Sequence, residues 1–168
     1  MKKIFLIVFL LLITSVEGAI FGYFYNQFGY TIQPGERFPI IKIKTASNLI
    51  ADEVGIIQIE ETGNYFIQYG VTGLVNATNP YFQIALATFA NGENSVINGT
   101  SFFSSTYSKE YPTGVATGSA ILLLNSGTKI CLVNNTAPAT PLTISPIKNN
   151  ASSGLDVISY INIMKISE

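Results

Sequence analysis

The side chains able to do acid–base or metal chemistry are few. Of the ten Asp and Glu, four form adjacent pairs, Asp52 with Glu53 and Glu60 with Glu61, and carboxylates are what a calcium site or a general acid–base pair would use. Neighbouring residues of an extended chain point to opposite faces, so Glu60 and Glu61 meet at one ligand only if the chain has already turned between them. Both pairs read as solvated turn carboxylates; a weak calcium site at Asp52 and Glu53 is the alternative, without the Asp-rich loop that would support it. The chain has no His and no Trp. Without His the usual general base is missing, and a Ser or Thr nucleophile would need a Lys brought beside it by the fold. No Gly-rich phosphate loop leads into a helix. We therefore read a non-enzymatic protein with no cofactor and no metal, a secreted hydrolase being the remote alternative.

Cys131 is the only cysteine and sits between Ile130 and Leu132 in an alternating stretch, facing away from whatever they bury. An unpaired Cys in an exported protein is either a shielded thiol, which is our reading, or half of an intermolecular disulfide. Reactivity would need a neighbouring cation, and Lys129 is the nearest in sequence. Sequons begin at Asn76, Asn98, Asn134 and Asn150, all expected in turns or loops that could accommodate an oligosaccharide in a glycosylating host. The positive charges past the amino terminus are Arg37, Lys42, Lys44, Lys109, Lys129, Lys148 and Lys165, and the formal net charge is −1. A nucleic-acid partner needs a basic face, and none is assembled here. Lys42 and Lys44 read as a solvated strand face.

Lys2 and Lys3 precede an apolar run from Ile4 to Ile13, after which the residues turn small and polar. A helix rises about 1.5 Å per residue and the bilayer core needs about 20, so the run is too short to span. It has the form of a signal peptide over residues 1–18, with Val16 and Gly18 before the cleavage point, leaving an exported domain over 19–168. An uncleaved anchor is the alternative. No later segment is apolar enough for a membrane span.

From residue 20 onward, short apolar–polar alternations are punctuated by Gly, Pro, Asn and Ser, the pattern of strands and turns. Tyr65, Ile67, Tyr69 and Val71 share one face of a strand; Phe82, Ile84 and Leu86 share another. Further strands are expected at 54–60, 120–124, 129–133 and 157–166, with a short one at Leu142 and Ile144 inside the loop-like stretch 134–154. Gln33-Pro34-Gly35-Glu36 suits a turn with Pro fixing φ and Gly taking positive φ, Asn91-Gly92 and Asn98-Gly99 are tight-turn pairs, and Asn125-Ser126-Gly127-Thr128 is expected to join its flanking strands as a hairpin. No sustained helical period is seen. The expectation is an all-β antiparallel sandwich.

Phe21-Gly22-Tyr23-Phe24-Tyr25-Asn26, Pro34-Gly35-Glu36 before Phe38-Pro39-Ile40, Glu61 to Tyr69 with its Gly-x-Tyr, Gly118 to Leu124, Gly127 to Asn134, and Tyr160 to Ile166 follow one another in an order that resembles a known family. It is similar to the jelly-roll heads of the tumour necrosis factor family and of the first complement component, above all to the heads of collagen-like glycoproteins on the bacterial spore surface, the exosporium. Two features depart from the pattern: no Gly-x-y stalk precedes the first strand, and Thr128 stands where an Asp commonly follows the hairpin glycine.

The resemblance implies a homotrimer that packs one sheet of each subunit around a threefold axis and serves a structural or adhesive role outside the cell. Nine Tyr and eleven Phe exceed what one small sandwich must bury, and surplus aromatics favour interfaces. We assign Tyr23, Tyr25, Phe66, Gln68, Tyr160 and Asn162 to the inter-subunit face; the alternative leaves these aromatics beside loops or in a monomer core. The second functional reading is a lectin-like or receptor-binding module that contacts a glycan or protein through the loop residues Asn94, Tyr107 and Tyr111.

Overall fold

Alternation dominates the chain, and strands are what it builds. The computed structural model describes residues 20–39, 42–46, 48–52, 54–106, 113–136, 141–144 and 159–167; the expected signal peptide lies outside them. In chain order the strands are β1 (Phe21–Asn26), β2 (Tyr30–Ile32), β3 (Lys42–Ala46), β4 (Leu49–Ala51), β5 (Ile57–Ile59), β6 (Gly63–Leu74) and β7 (Gln83–Ala90). They continue with β8 (Glu93–Val96), β9 (Phe102–Phe103), β10 (Thr113–Leu124), β11 (Lys129–Asn134), β12 (Leu142–Ile144) and β13 (Ser159–Ser167). No helix occurs among the described residues, and none is long and apolar enough there to cross a membrane.

A first sheet has the order β10-β6-β13-β1-β3, and a second the order β4-β5-β11-β7-β8 with β9 also on β7. β12 and β2 form a separate ribbon. All pairings are antiparallel, and strands distant in sequence lie side by side, β6 against β13 and β11 against β5. This is the crossed connectivity of a jelly roll, expected from the resemblance.

The core lies between the two sheets. β6 contributes Tyr65, Ile67 and Tyr69, each without exposed surface, and β7 and β11 face them with Ile84, Leu86, Ile130 and Leu132. These are the faces the alternation predicts. Burying one such side chain contributes about 1.5–3 kcal/mol. The Tyr hydroxyls still reach partners: Tyr65 donates to the Glu61 carbonyl and Tyr69 to that of Thr100.

The turn chemistry holds at Gln33–Glu36, where Glu36 N–H donates to the Gln33 carbonyl at 3.0 Å and Gly35 takes φ +80°. Asn91 and Gly92 both take positive φ between β7 and β8, the form that suits a two-residue hairpin. At Asn125–Thr128 the expectation fails. The turn forms, with Thr128 N–H on the Asn125 carbonyl at 3.0 Å, but β10 and β11 belong to different sheets and do not pair. The turn binds β5 instead: Gly127 N–H donates to the Ile59 carbonyl at 2.7 Å, and Ile59 N–H to that of Thr128 at 2.8 Å. A four-residue turn specifies a reversal of direction; it does not specify that both arms stay in one sheet.

Candidate functional site

With Tyr65 and Ile67 pointing inward, β6 must turn Phe66 and Gln68 outward, and registration with its neighbours decides what surrounds them. Phe66 lies opposite Ile121 on one side and Met164 on the other, and Met164 lies opposite Phe21. Four apolar side chains thus form a row across β10, β6, β13 and β1 on the outward face of the first sheet. Phe21 is 44% exposed, Met164 48% and Ile121 65%, with Leu123 at 68% beside them on β10. Isolated exposed hydrophobes are ordinary, but a contiguous apolar sheet face is the kind of surface that marks an interaction site.

Two residues along each strand the row becomes polar and aromatic. Tyr23, Asn162, Gln68 and Ser119 are in register, followed by Tyr25, Tyr160, Gly70 and Thr117. Tyr23 stacks on Tyr25 with ring centroids 5.2 Å apart and planes at 17°. Tyr160 lies over Gly70, where a Cβ would come within 2.7 Å of the ring; the missing side chain makes room for the ring to lie down on the sheet. Tyr23, Gln68, Tyr160 and Asn162 border a shallow hollow, across which Asn162 Nδ2 faces Gln68 Oε1 at 3.5 Å. Partial burial, followed by the neighbouring Tyr25 and Tyr160, raises the Tyr23 hydroxyl above its ordinary pKa, and burial alone raises Tyr160. The Tyr23 and Tyr160 phenols therefore stay neutral at physiological pH and keep an O–H able to donate.

In sequence the chain matches no family model and no curated protein. In structure it is similar to Eiger TNF from S. frugiperda, with 14% identity, 89% of this chain and 94% of that one covered and a TM-score of 0.65. The globular domain of zebrafish complement 1qA follows with 13% identity, coverage of 89% and 98% and a TM-score of 0.62. The fold is a tumour necrosis factor-like jelly roll. Murine APRIL shares it at 12% identity, with coverage of 88% and 99% and a TM-score of 0.58. At these identities the likeness carries the fold and nothing finer.

Within this jelly roll the six residues assigned to an inter-subunit face lie on one outward face, five of them in the two polar and aromatic rows and Phe66 inside the adjacent apolar row. Sequence reasoning passed over Phe21, Ile121, Leu123 and Met164. The signal was present, since β10 and β13 alternate as β6 does, but only the register shows that Phe21, Met164 and Ile121 continue the Phe66 row and that Leu123 flanks it.

The other candidates scatter. Asn94, expected in a loop, is in β8, where its Nδ2 donates to the Gly35 carbonyl at 2.8 Å and its Oδ1 accepts from Arg37 Nη1 at 3.4 Å. Strand pairing of Asn94 with Phe89 replaces the loop because the turn at Asn91-Gly92 is tight. Tyr107 and Tyr111 lie outside the described residues, as do Asn150 and Glu53. Asn76 and Asn98 are exposed in turns, Asn76 Oδ1 accepting from Thr78 and Asn79 N–H groups at 2.9 and 2.8 Å.

Asn134 corrects its expectation. It closes β11 with no exposed surface, its Nδ2 donates to the Ile32 carbonyl at 3.1 Å, and its Oδ1 accepts from Thr136 Oγ1 at 2.6 Å. The side-chain amide that a glycan would occupy is part of the folded core, so Asn134 is not a surface acceptor.

Asp52 caps its own turn through Ile56 N–H at 2.8 Å. Glu60 accepts from Gln58, and Glu61 pairs with Lys165 Nζ at 3.2 Å. No three His, Cys, Asp or Glu converge among the described residues. Cys131 faces out of the sandwich yet is buried among Ala85, Ala87 and Val133. Desolvation, partly countered by Arg37, pushes its thiol up to about 12. Such a thiol is not the nucleophilic thiolate at neutral pH.

Proposed function

We propose that this protein is an exported, non-enzymatic head that assembles as a homotrimer through the outward face of the β10-β6-β13-β1-β3 sheet and serves a structural or adhesive role outside the cell. The observation that carries this reading is the row Phe21, Met164, Phe66 and Ile121, which leaves a contiguous apolar band in water across four strands of one sheet. Covering it with the same face of other copies removes that area from water, at roughly 25 cal/mol per Å2. Tyr23, Tyr25, Tyr160, Gln68 and Asn162 then supply donors and acceptors beside the apolar row, which restrict how copies register. The signal peptide over 1–18 and kinship with spore-surface heads belong to the same reading; they rest on the sequence motifs.

Sedimentation velocity at micromolar concentration tests it. The wild type should run as a trimer and Phe66→Asp as a monomer with an unchanged circular dichroism spectrum, because an uncompensated charge buried in an interface costs several kcal/mol. A wild type that stays monomeric at high concentration overturns the assembly.

A further inference from the structure

We propose that the outward side of the second sheet carries a binding site for a singly charged carboxylate, organised by Arg37. Arg37 makes a lone bridge to Val133 at the edge of β11, which lays its side chain across the outward face of the sheet. There the guanidinium sits 4.5 Å over the Phe89 ring, and Nη1 donates to Asn94 Oδ1 at 3.4 Å. Asn94 is itself held by the Gly35 carbonyl. The cation is thus held by a cation–π contact and steered by an anchored amide, and among the described residues Asn94 is the one side-chain acceptor that it meets.

No carboxylate pairs with Arg37 among the described residues. Glu36, which lines the same hollow, is held by Gln33 N–H at 2.7 Å, and Asp52 is occupied by its own turn. What faces the cation is an open hollow of about 380 Å3. Gly35 and Gly92 border it with positive φ and nothing within 4 Å of where a side chain would begin. Pro39 and Val54 give it an apolar side, Val54 being 54% exposed.

A planar guanidinium fork matches a carboxylate through two parallel charge-assisted hydrogen bonds. A single cation, with Glu36 and Asp52 close by, balances one negative charge better than the two of a phosphate. The apolar side favours a carboxylate attached to a short hydrocarbon. The hollow is on the sheet opposite the proposed assembly face, so it stays open whether the protein is one copy or three, and the proposal stands apart from that reading.

The test is an NMR titration of the whole protein with acetate, isovalerate and inorganic phosphate at constant ionic strength, following Arg37 Nε–H, the Asn94 side-chain amide and the Gly35 and Gly92 backbone amides. Saturable shifts are expected with acetate, about threefold tighter binding with isovalerate and at least threefold weaker binding with phosphate. Arg37→Gln should weaken acetate binding tenfold or more. Arg37→Lys, which keeps the charge and the covering stem and so guards against a folding defect, should weaken it about fivefold through loss of the fork. Non-saturable shifts, unchanged affinity in both variants, or phosphate binding tighter than acetate would overturn the proposal.

Discussion

The two sheets bury the same core between them but finish their outward faces in opposite ways. On the first sheet the outward residues are large and exposed: Phe21, Ile121, Leu123 and Met164, with Tyr23, Tyr25 and Tyr160 beside them. On the second, along β7 and β11, they are small and covered: Ala85, Ala87, Cys131 and Val133 are all within 1% of full burial, under Phe89 and Arg37, while Ile50 and Phe103 stay exposed on the outlying β4 and β9. Small side chains let the chain's own Arg37 segment lie flat on the second sheet. Large ones on the first leave a surface that no described part of the chain covers. An outward-facing strand residue is therefore not by default a solvent residue; what matters is whether the same chain or another molecule covers it.

The contrast can be broken most forcefully on β6, where neighbours serve different faces. Ile67→Ala should lower unfolding stability by about 2–5 kcal/mol at every protein concentration, whereas Phe66→Ala should leave the isolated subunit's urea midpoint nearly unchanged and weaken only self-association. Equal losses from both, measured by urea denaturation of dilute protein, would erase the distinction between the faces. On the second sheet, Ala87→Leu should cost about 1–3 kcal/mol by overpacking beneath Phe89 and Arg37. Ser119→Leu, an enlargement of the same kind on the first sheet's outward face, should be nearly neutral in the subunit. Thermal scans of the two variants give the comparison directly.

Asn134→Ala removes a buried amide that serves Ile32 and Thr136, and the unpaired groups left behind should cost about 1–3 kcal/mol. A glycan attached to Asn134 in the folded secreted product, found by peptide mass mapping, would contradict the burial. For Cys131 the sign follows from linkage. Its ordinary pKa is 9.0 and the folded value about 12, so the unfolded chain loses its proton first and stability should fall as pH rises from 9 towards 12. At pH 8 the thiol should react with a disulfide reagent only after unfolding. The smallest effect is expected for Glu61→Gln, below about 1 kcal/mol in a urea titration, because the Lys165 pair has a Glu61 side chain that is 48% exposed.

Much of the sandwich was legible locally. Tyr65, Ile67, Tyr69 and Val71 had to share a face because side chains alternate along a strand, and all four are buried. Gly35 and Gly92 marked turns through their tolerance of positive φ. The Phe66 face was half legible, since alternation turned Phe66 outward but could not say that Met164 and Ile121 would flank it. Asn134 misled for a related reason. The sequon Asn134-Asn135-Thr136 is a local pattern, while its burial comes from Ile32, which is distant in sequence.

Residue order alone thus determined the strand class, the inward set of the long strands, several turns and the lack of histidine-based chemistry, because these depend on neighbours a few positions apart. Which strands pair, that the Asn125–Thr128 turn changes sheets, which apolar residues form a row and where Arg37 lies were decided only by the tertiary structure. Those outcomes come from contacts between segments far apart in the chain, and a local periodicity of two is the same for every register a strand could take.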